Sequence, residues 1–199
     1  KRDPSKRDKV VIATKIGMMA GLAPDTVETA CDASLGRLGT HIDLYYQHKD
    51  DPGTPLAESL AAFDRLFKAG KIKAIGLSNF TAERVDEAMS TARANALTEP
   101  AALQPWYNLV EREKFEGELR DAARRHGLSV FTYYSVANGF LTGKYRRKED
   151  LDQSPRGLRN IGYLEGRGQR VLAALDEIAA ETGAAPATVT LAWTMAQPG

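Results

Sequence analysis

Five short apolar runs punctuate this chain, and each ends abruptly in polar residues. Val10-Val11-Ile12-Ala13-Thr14 runs into Lys15, and Ile42–Gln47 runs into His48-Lys49-Asp50-Asp51. Ile72–Leu77 leads to Ser78-Asn79, Ala102-Leu103 to Gln104, and Leu128–Thr132 to Tyr133. Runs this short that stay apolar throughout are expected of strands covered on both faces. Between them the apolar positions change to helical spacing. Asp25 is expected to cap a helix over Thr26–Leu38, with Val27, Ala30, Cys31, Ser34, Leu35 and Leu38 on one face and Gly39 as its stop. Pro55 opens Leu56–Ala69, in which Leu60, Phe63, Leu66 and Phe67 share a face. Thr81 caps a helix reaching about Asn95, and Lys114–His126 is expected to form another, ended by Gly127. The stretch 134–166 has no period and carries Pro155 and basic residues, so it is expected to be a long loop. Helices resume at Arg167–Thr182 and from Pro186, the last carrying Val189, Leu191, Ala192 and Trp193.

Strand and helix thus alternate about every 30 residues, the length of a βαβ unit. Short crossovers between buried strands imply a parallel α/β sheet with helices outside, either doubly wound or closed as a (β/α)₈ TIM barrel. A barrel takes eight strands and ~250 residues, whereas this chain has 199 residues. It is therefore expected to be the middle of a barrel, incomplete at both ends, forming a single domain over 1–199. A formal net charge of +1 gives no reason to expect a nucleic-acid or membrane partner. Cys31 is the only cysteine, which excludes an intrachain disulfide and fits a reducing compartment. No run approaches the roughly 18 apolar residues of a membrane span, and no signal peptide opens the chain. A cytoplasmic location is the expectation, with the oligomeric state left open.

Polar residues at the C-terminal ends of parallel strands are where ligands are met in α/β folds. Neighbouring parallel strands lie about 5 Å apart, so Lys15 and His48 gain weight as a pair, a cation beside a titratable ring. Each residue also has a plain reading. In that reading His48 is only a hydrogen-bonding residue, Lys15 a solvated charge, Ser78-Asn79 a turn pair and Gln104 a partner for loop backbone. Tyr133 is either core or a platform for a flat ring. The segment Asn138-Gly139-Phe140-Leu141-Thr142-Gly143-Lys144 lacks dinucleotide-fold or P-loop spacing, but its amides and Lys144 suit a phosphate. No Gly-x-Ser-x-Gly elbow, cysteine pair or His-Glu-x-x-His motif occurs, so serine-triad acyl transfer and zinc hydrolysis have no support and no metal is expected.

Taken in order, these stretches resemble the aldo-keto reductase family. Ile12-Ala13-Thr14-Lys15 is similar to the family strand ending in its catalytic lysine, and Ile42-Asp43-Leu44-Tyr45-Tyr46-Gln47-His48 to the strand ending in its catalytic histidine. Gly70 through Phe80, with Ser78-Asn79, resembles the family's most diagnostic stretch. Gln104 through Leu109 and Tyr133 through Tyr145 follow in the same order as two further signatures. The resemblance implies a barrel that binds NADP(H) in an extended pose and reduces an aldehyde or ketone to an alcohol by hydride transfer. It implies that Lys15 lowers the pKa of a proton-donating tyrosine and that His48 orients the carbonyl. Ser78, Asn79 and Gln104 would hold the carboxamide, and Tyr133 would stack on the nicotinamide. Ser135, Ala137 and Gly139, with Lys144, would contact the pyrophosphate side.

The family's tyrosine and a carboxylate partner of the lysine lie upstream of that lysine, yet none of the 14 residues before Lys15 is a tyrosine. The loop after Lys15 is shorter than usual, and Gly39–Ile42 is one residue short. A chain ending there is expected to show no turnover. One rival is a non-catalytic NADPH-binding, redox-sensing regulator resembling potassium-channel β subunits. Another is a Schiff-base aldolase using Lys15 as nucleophile.

Overall fold

The computed structural model describes residues 4–198. They form two compact units, one comprising the described residues up to Pro105 together with Gly117–Phe131, the other Trp106–Glu116 and the chain from Thr132 onward.

The first unit is built on a five-stranded parallel sheet: β1 Ala13–Ile16, β2 Ile42–Gln47, β3 Ile72–Ser78, β4 Ala102–Gln104 and β5 Ser129–Val130. Its order is β1-β2-β3-β4-β5, each strand pairing with the next along the chain. A doubly wound sheet reverses strand order at a switch point. Unbroken sequential order is instead an arc of an α/β barrel. The crossovers carry α1 (Pro24–Leu38), α2 (Leu56–Lys68), α3 (Ala82–Ala94) and α4 (Glu118–Arg125).

Successive strand side chains point to opposite faces. One face places Tyr45, Ile75 and Ile16 with Val27, Cys31, Phe63 and Leu66 of α1 and α2 in a dry cluster. The other face carries Leu44, Tyr46, Ala74 and Ala102. On that face Lys15 registers with Tyr46, and Tyr46 with Gly76. The fully buried Tyr46 ring lies against Gly76 so closely that a Cβ there would sit 2.3 Å from it.

Several boundaries depart from the sequence expectation for physical reasons. The first strand begins at Ala13 rather than in the valines, because Val10 and Val11 are 53% and 73% exposed. Ladder bonding starts where the N–H groups of Asp43 and Leu44 both donate to Ile12 O. Asp25 does not cap α1: Ala23 is the N-cap and Pro24 takes the first turn, with Asp25 one residue inside. Thr81 does cap α3, its Oγ1 accepting from the Arg84 N–H at 3.3 Å. The helix expected over 114–126 is broken by Gly117 at φ 94°, leaving a 3₁₀ turn at Arg112–Lys114 and then α4. β5 covers only two of the expected five residues, and Phe131 after it is 48% exposed.

The second unit has no strand among its described residues. It combines 3₁₀ turns at Ala137–Thr142, Lys148–Gln153 and Gly157–Tyr163 with α5 (Arg167–Thr182) and α6 (Pro186–Met195). The aperiodic stretch 134–166 is irregular yet packed: Phe140, Leu141, Tyr145, Leu151 and Leu164 are buried with Leu172 and Leu175 of α5.

Candidate functional site

Five of the expected residues meet along the C-terminal edge of the sheet. Lys15 is the third residue of β1, and its ammonium lies 5.4 Å from the centre of the Tyr46 ring. Burial lowers its pKa, because a cation is penalised where water is scarce. His48 follows β2 directly; its N–H donates to Ile16 O at 2.7 Å. Burial, then the charges of Lys15 and Lys49, hold its imidazole below the usual histidine value. Ser78 ends β3 in register with Gln104 at the end of β4, and Ser78 Oγ donates to Gln104 O at 2.9 Å. With its proton directed there and one lone pair facing Asn79 Nδ2, the Ser78 oxygen keeps one lone pair to accept from a ligand amide. Asn79 adopts φ 55°, a left-handed conformation that asparagine tolerates better than most residues. Its Nδ2 donates to His48 O at 2.8 Å and to Ser78 Oγ at 3.2 Å.

The loop after β2 is tied to its neighbours on both sides. Asp50 accepts from Arg84 of α3 through two bonds, of 2.8 and 2.7 Å. Asp51 reaches back to the loop after β1, accepting from the Leu22 N–H at 2.7 Å, and it also accepts from Thr54 Oγ1 and the Gly53 N–H. The Thr54 hydroxyl and the Leu22 amide are the main reasons its carboxyl stays below the ordinary carboxylate range. The pair Asp50-Asp51 was visible in the sequence as the polar end of a strand. Its partners were not, because one is a backbone amide and the other a single arginine on a distant helix.

The remaining expected residues lie in the second unit. Tyr133 bridges in parallel to Trp106 and packs against the rings of Trp106 and Tyr134, with centroids 5.9 and 5.1 Å away. Burial, then the neighbouring Tyr134, raise its phenol pKa. Ser135 Oγ shares a 2.8 Å hydrogen bond with Thr132. Ala137 is fully buried at φ 47°, and Asn138 and Gly139 follow at φ 55° and 96°. Consecutive non-glycine residues in this region carry strain of a kind that recurs at ligand clamps. A Cβ at Gly139 would lie 3.0 Å from Lys144 Cε, so the missing side chain is what lets the lysine run alongside this backbone. Asn138 Oδ1 is buried with no hydrogen-bond partner among the described residues. An orphaned acceptor, turned-out backbone and an adjacent cation are features that suit the phosphate side of a dinucleotide, which these residues would hold.

A family model described as "Aldo/keto reductase family" matches residues 1–199. The chain is 34% identical over 201 residues to the aldo-keto reductase str7 of Strobilurus tenacellus, covering 96% of this chain and 58% of that protein. It is 38% identical over 152 residues to the human (Homo sapiens) aflatoxin B1 aldehyde reductase member 2, covering 75% of this chain and 42% of the relative. It is 31% identical over 197 residues to a putative voltage-gated potassium channel subunit beta of Schizosaccharomyces pombe, covering 93% and 56% respectively. The chain thus spans about half the length of the curated relatives it matches.

Proposed function

The chain belongs to the aldo/keto reductase family, and we propose that it reduces a small-molecule aldehyde or ketone to the alcohol with NADP(H). The observation that carries this reading is the shared edge on which Lys15, His48, Ser78, Asn79 and Gln104 lie. When bound, NADPH supplies the hydride; everything else falls to the protein. His48, kept neutral at physiological pH by burial and two lysines, presents an uncharged imidazole to orient a carbonyl oxygen. Lys15 contributes a positive potential that stabilises a developing alkoxide and lowers the pKa of a phenolic proton donor. Ser78, Asn79 and Gln104 hold the carboxamide, and Tyr133 offers a ring for stacking. Ser135, Ala137, Gly139 and Lys144 bind the pyrophosphate side. The relative named for an aldehyde substrate supports the reaction class, and a cytoplasmic setting is part of the same proposal. Among the described residues no helix is long and apolar enough to cross a membrane.

The test is NADPH oxidation with a nitrobenzaldehyde, comparing the wild-type protein with Lys15→Met. With the upstream proton-donating tyrosine present, turnover is expected in the first and a drop of about a hundredfold or more in the second; equal rates in both reject the assignment. The likeness to a potassium-channel β subunit favours a second reading, a cofactor-binding regulator. Tight NADPH binding with no turnover across a carbonyl panel would select it.

A further inference from the structure

Asp51 has no assigned part in the chemistry, yet it is the most heavily bonded side chain of the loop after β2. Its Oδ2 accepts from the Leu22 N–H at 2.7 Å and from Thr54 Oγ1 at 2.8 Å, and its Oδ1 accepts from the Gly53 N–H at 3.1 Å. The contact with the other loop is built from both sides. Gly21 stands at φ 74°, and a Cβ on it would come within 3.0 Å of Asp51 Oδ2, so glycine is needed for the approach. Leu22 itself is 1% exposed and anchored in the core with Val27, Cys31 and Tyr45. The carboxylate thus joins a rigid point seven residues after Lys15 to a loop that begins at His48. Asn79 and Arg84 hold that same loop from the side of β3 and α3.

We infer that Asp51 is a positioning residue, fixing the spacing between Lys15 and His48 by clamping the loop after β1 to the loop after β2. The inference rests on the reductase reading for its kinetic consequence, but not for its structural one. Asparagine in its place offers one acceptor oxygen where two are in use, and turns a donor toward either Leu22 or Gly53.

The experiment compares the full-length protein with Asp51→Asn by three measurements. Hydrogen exchange is expected to accelerate across residues 17–22, because a neutral amide oxygen is a weaker acceptor for the Leu22 N–H than the carboxylate it replaces. The His48 titration, followed by NMR, is expected to move upward toward the ordinary value. That direction is diagnostic. Loss of the Asp51 charge alone would move His48 downward, whereas release from burial and from the two lysines moves it up. In turnover, kcat is expected to fall by up to about a hundredfold, with KM held within about twofold. Unchanged exchange, or a His48 midpoint that stays or falls, overturns the inference. Should Asp51→Asn fail to fold, Thr54→Val removes one donor to the same oxygen and is expected to give the same signs at smaller size. A wild-type protein that turns over no carbonyl defeats the reductase reading, while exchange and titration still judge Asp51. An active wild type matched in kcat by the variant, with His48 unmoved, defeats the clamp alone.

Discussion

In the sheet-bearing unit, five strands and four helices repeat one theme, and burial follows a two-residue alternation in the strands and a helical stripe outside them. The other unit buries Phe140, Leu141 and Tyr145 as completely as the sheet buries Tyr45, but does so with 3₁₀ turns. In that second unit Tyr134, Ala137 and Asn138 all stand at positive φ. A repeated unit spreads its folding information over a period, whereas irregular backbone concentrates it in a few anchors and special conformations.

The largest effect should come from removing such an anchor. Phe140→Ala is expected to cost about 3–5 kcal/mol, comparable to the most damaging core truncations in the sheet-bearing unit, such as Leu60→Ala. Denaturant unfolding with proteolytic mapping checks this, and cleavage should rise within 132–198. A cost near zero would mean that the irregular unit is not a packed core.

Gly76→Ala sharpens the comparison from the other side. In a regular sheet one methyl group has nowhere to go, since it would meet the Tyr46 ring at 2.3 Å. A loss of about 1–3 kcal/mol is expected, read as a lower melting temperature. Tyr46→Phe added to it should not restore stability, because the ring and not the hydroxyl blocks the methyl.

A smaller effect is pH-dependent and belongs to the sheet-bearing unit. Asp43 accepts from the Ile12 N–H, Arg7 and Lys73. Burial alone would raise its pKa, but those bonds and the charge of Arg7 outweigh it, so the folded value lies well below the ordinary one. A depressed carboxylate contributes fully above its unfolded value, about 3.9, and the contribution is lost as pH falls through the folded value. Between about pH 7 and pH 3 the wild type should therefore lose more stability than Asp43→Asn, as denaturation curves at the two pH values would show. Parallel losses would remove Asp43 from the account.

These contrasts also explain what could be read from residues alone. β2 and β4 fall at the expected positions because an apolar run bounded by turn residues has one good solution there. Val10 and Val11 misled because apolar character does not reveal whether a neighbouring strand is present to cover it. Gly117 broke the helix expected over 114–126 through backbone geometry that periodicity ignores, while Phe115 is buried as expected. Within the site, Lys15, His48, Ser78 and Gln104 were legible as polar endings of buried strands. Asp51 was legible in the same way, but its clamping contact was not, since that partner is a main-chain amide 29 positions away. Phe140 and Leu141 lay in a stretch with no period to betray a core.

The order of the strands has a kinetic corollary. Since every strand bonds to the one that follows it, each pairing closes only a loop of about 30 residues, and none waits on a distant segment. Assembly can advance unit by unit from any starting pair, at the modest entropic cost of short closures.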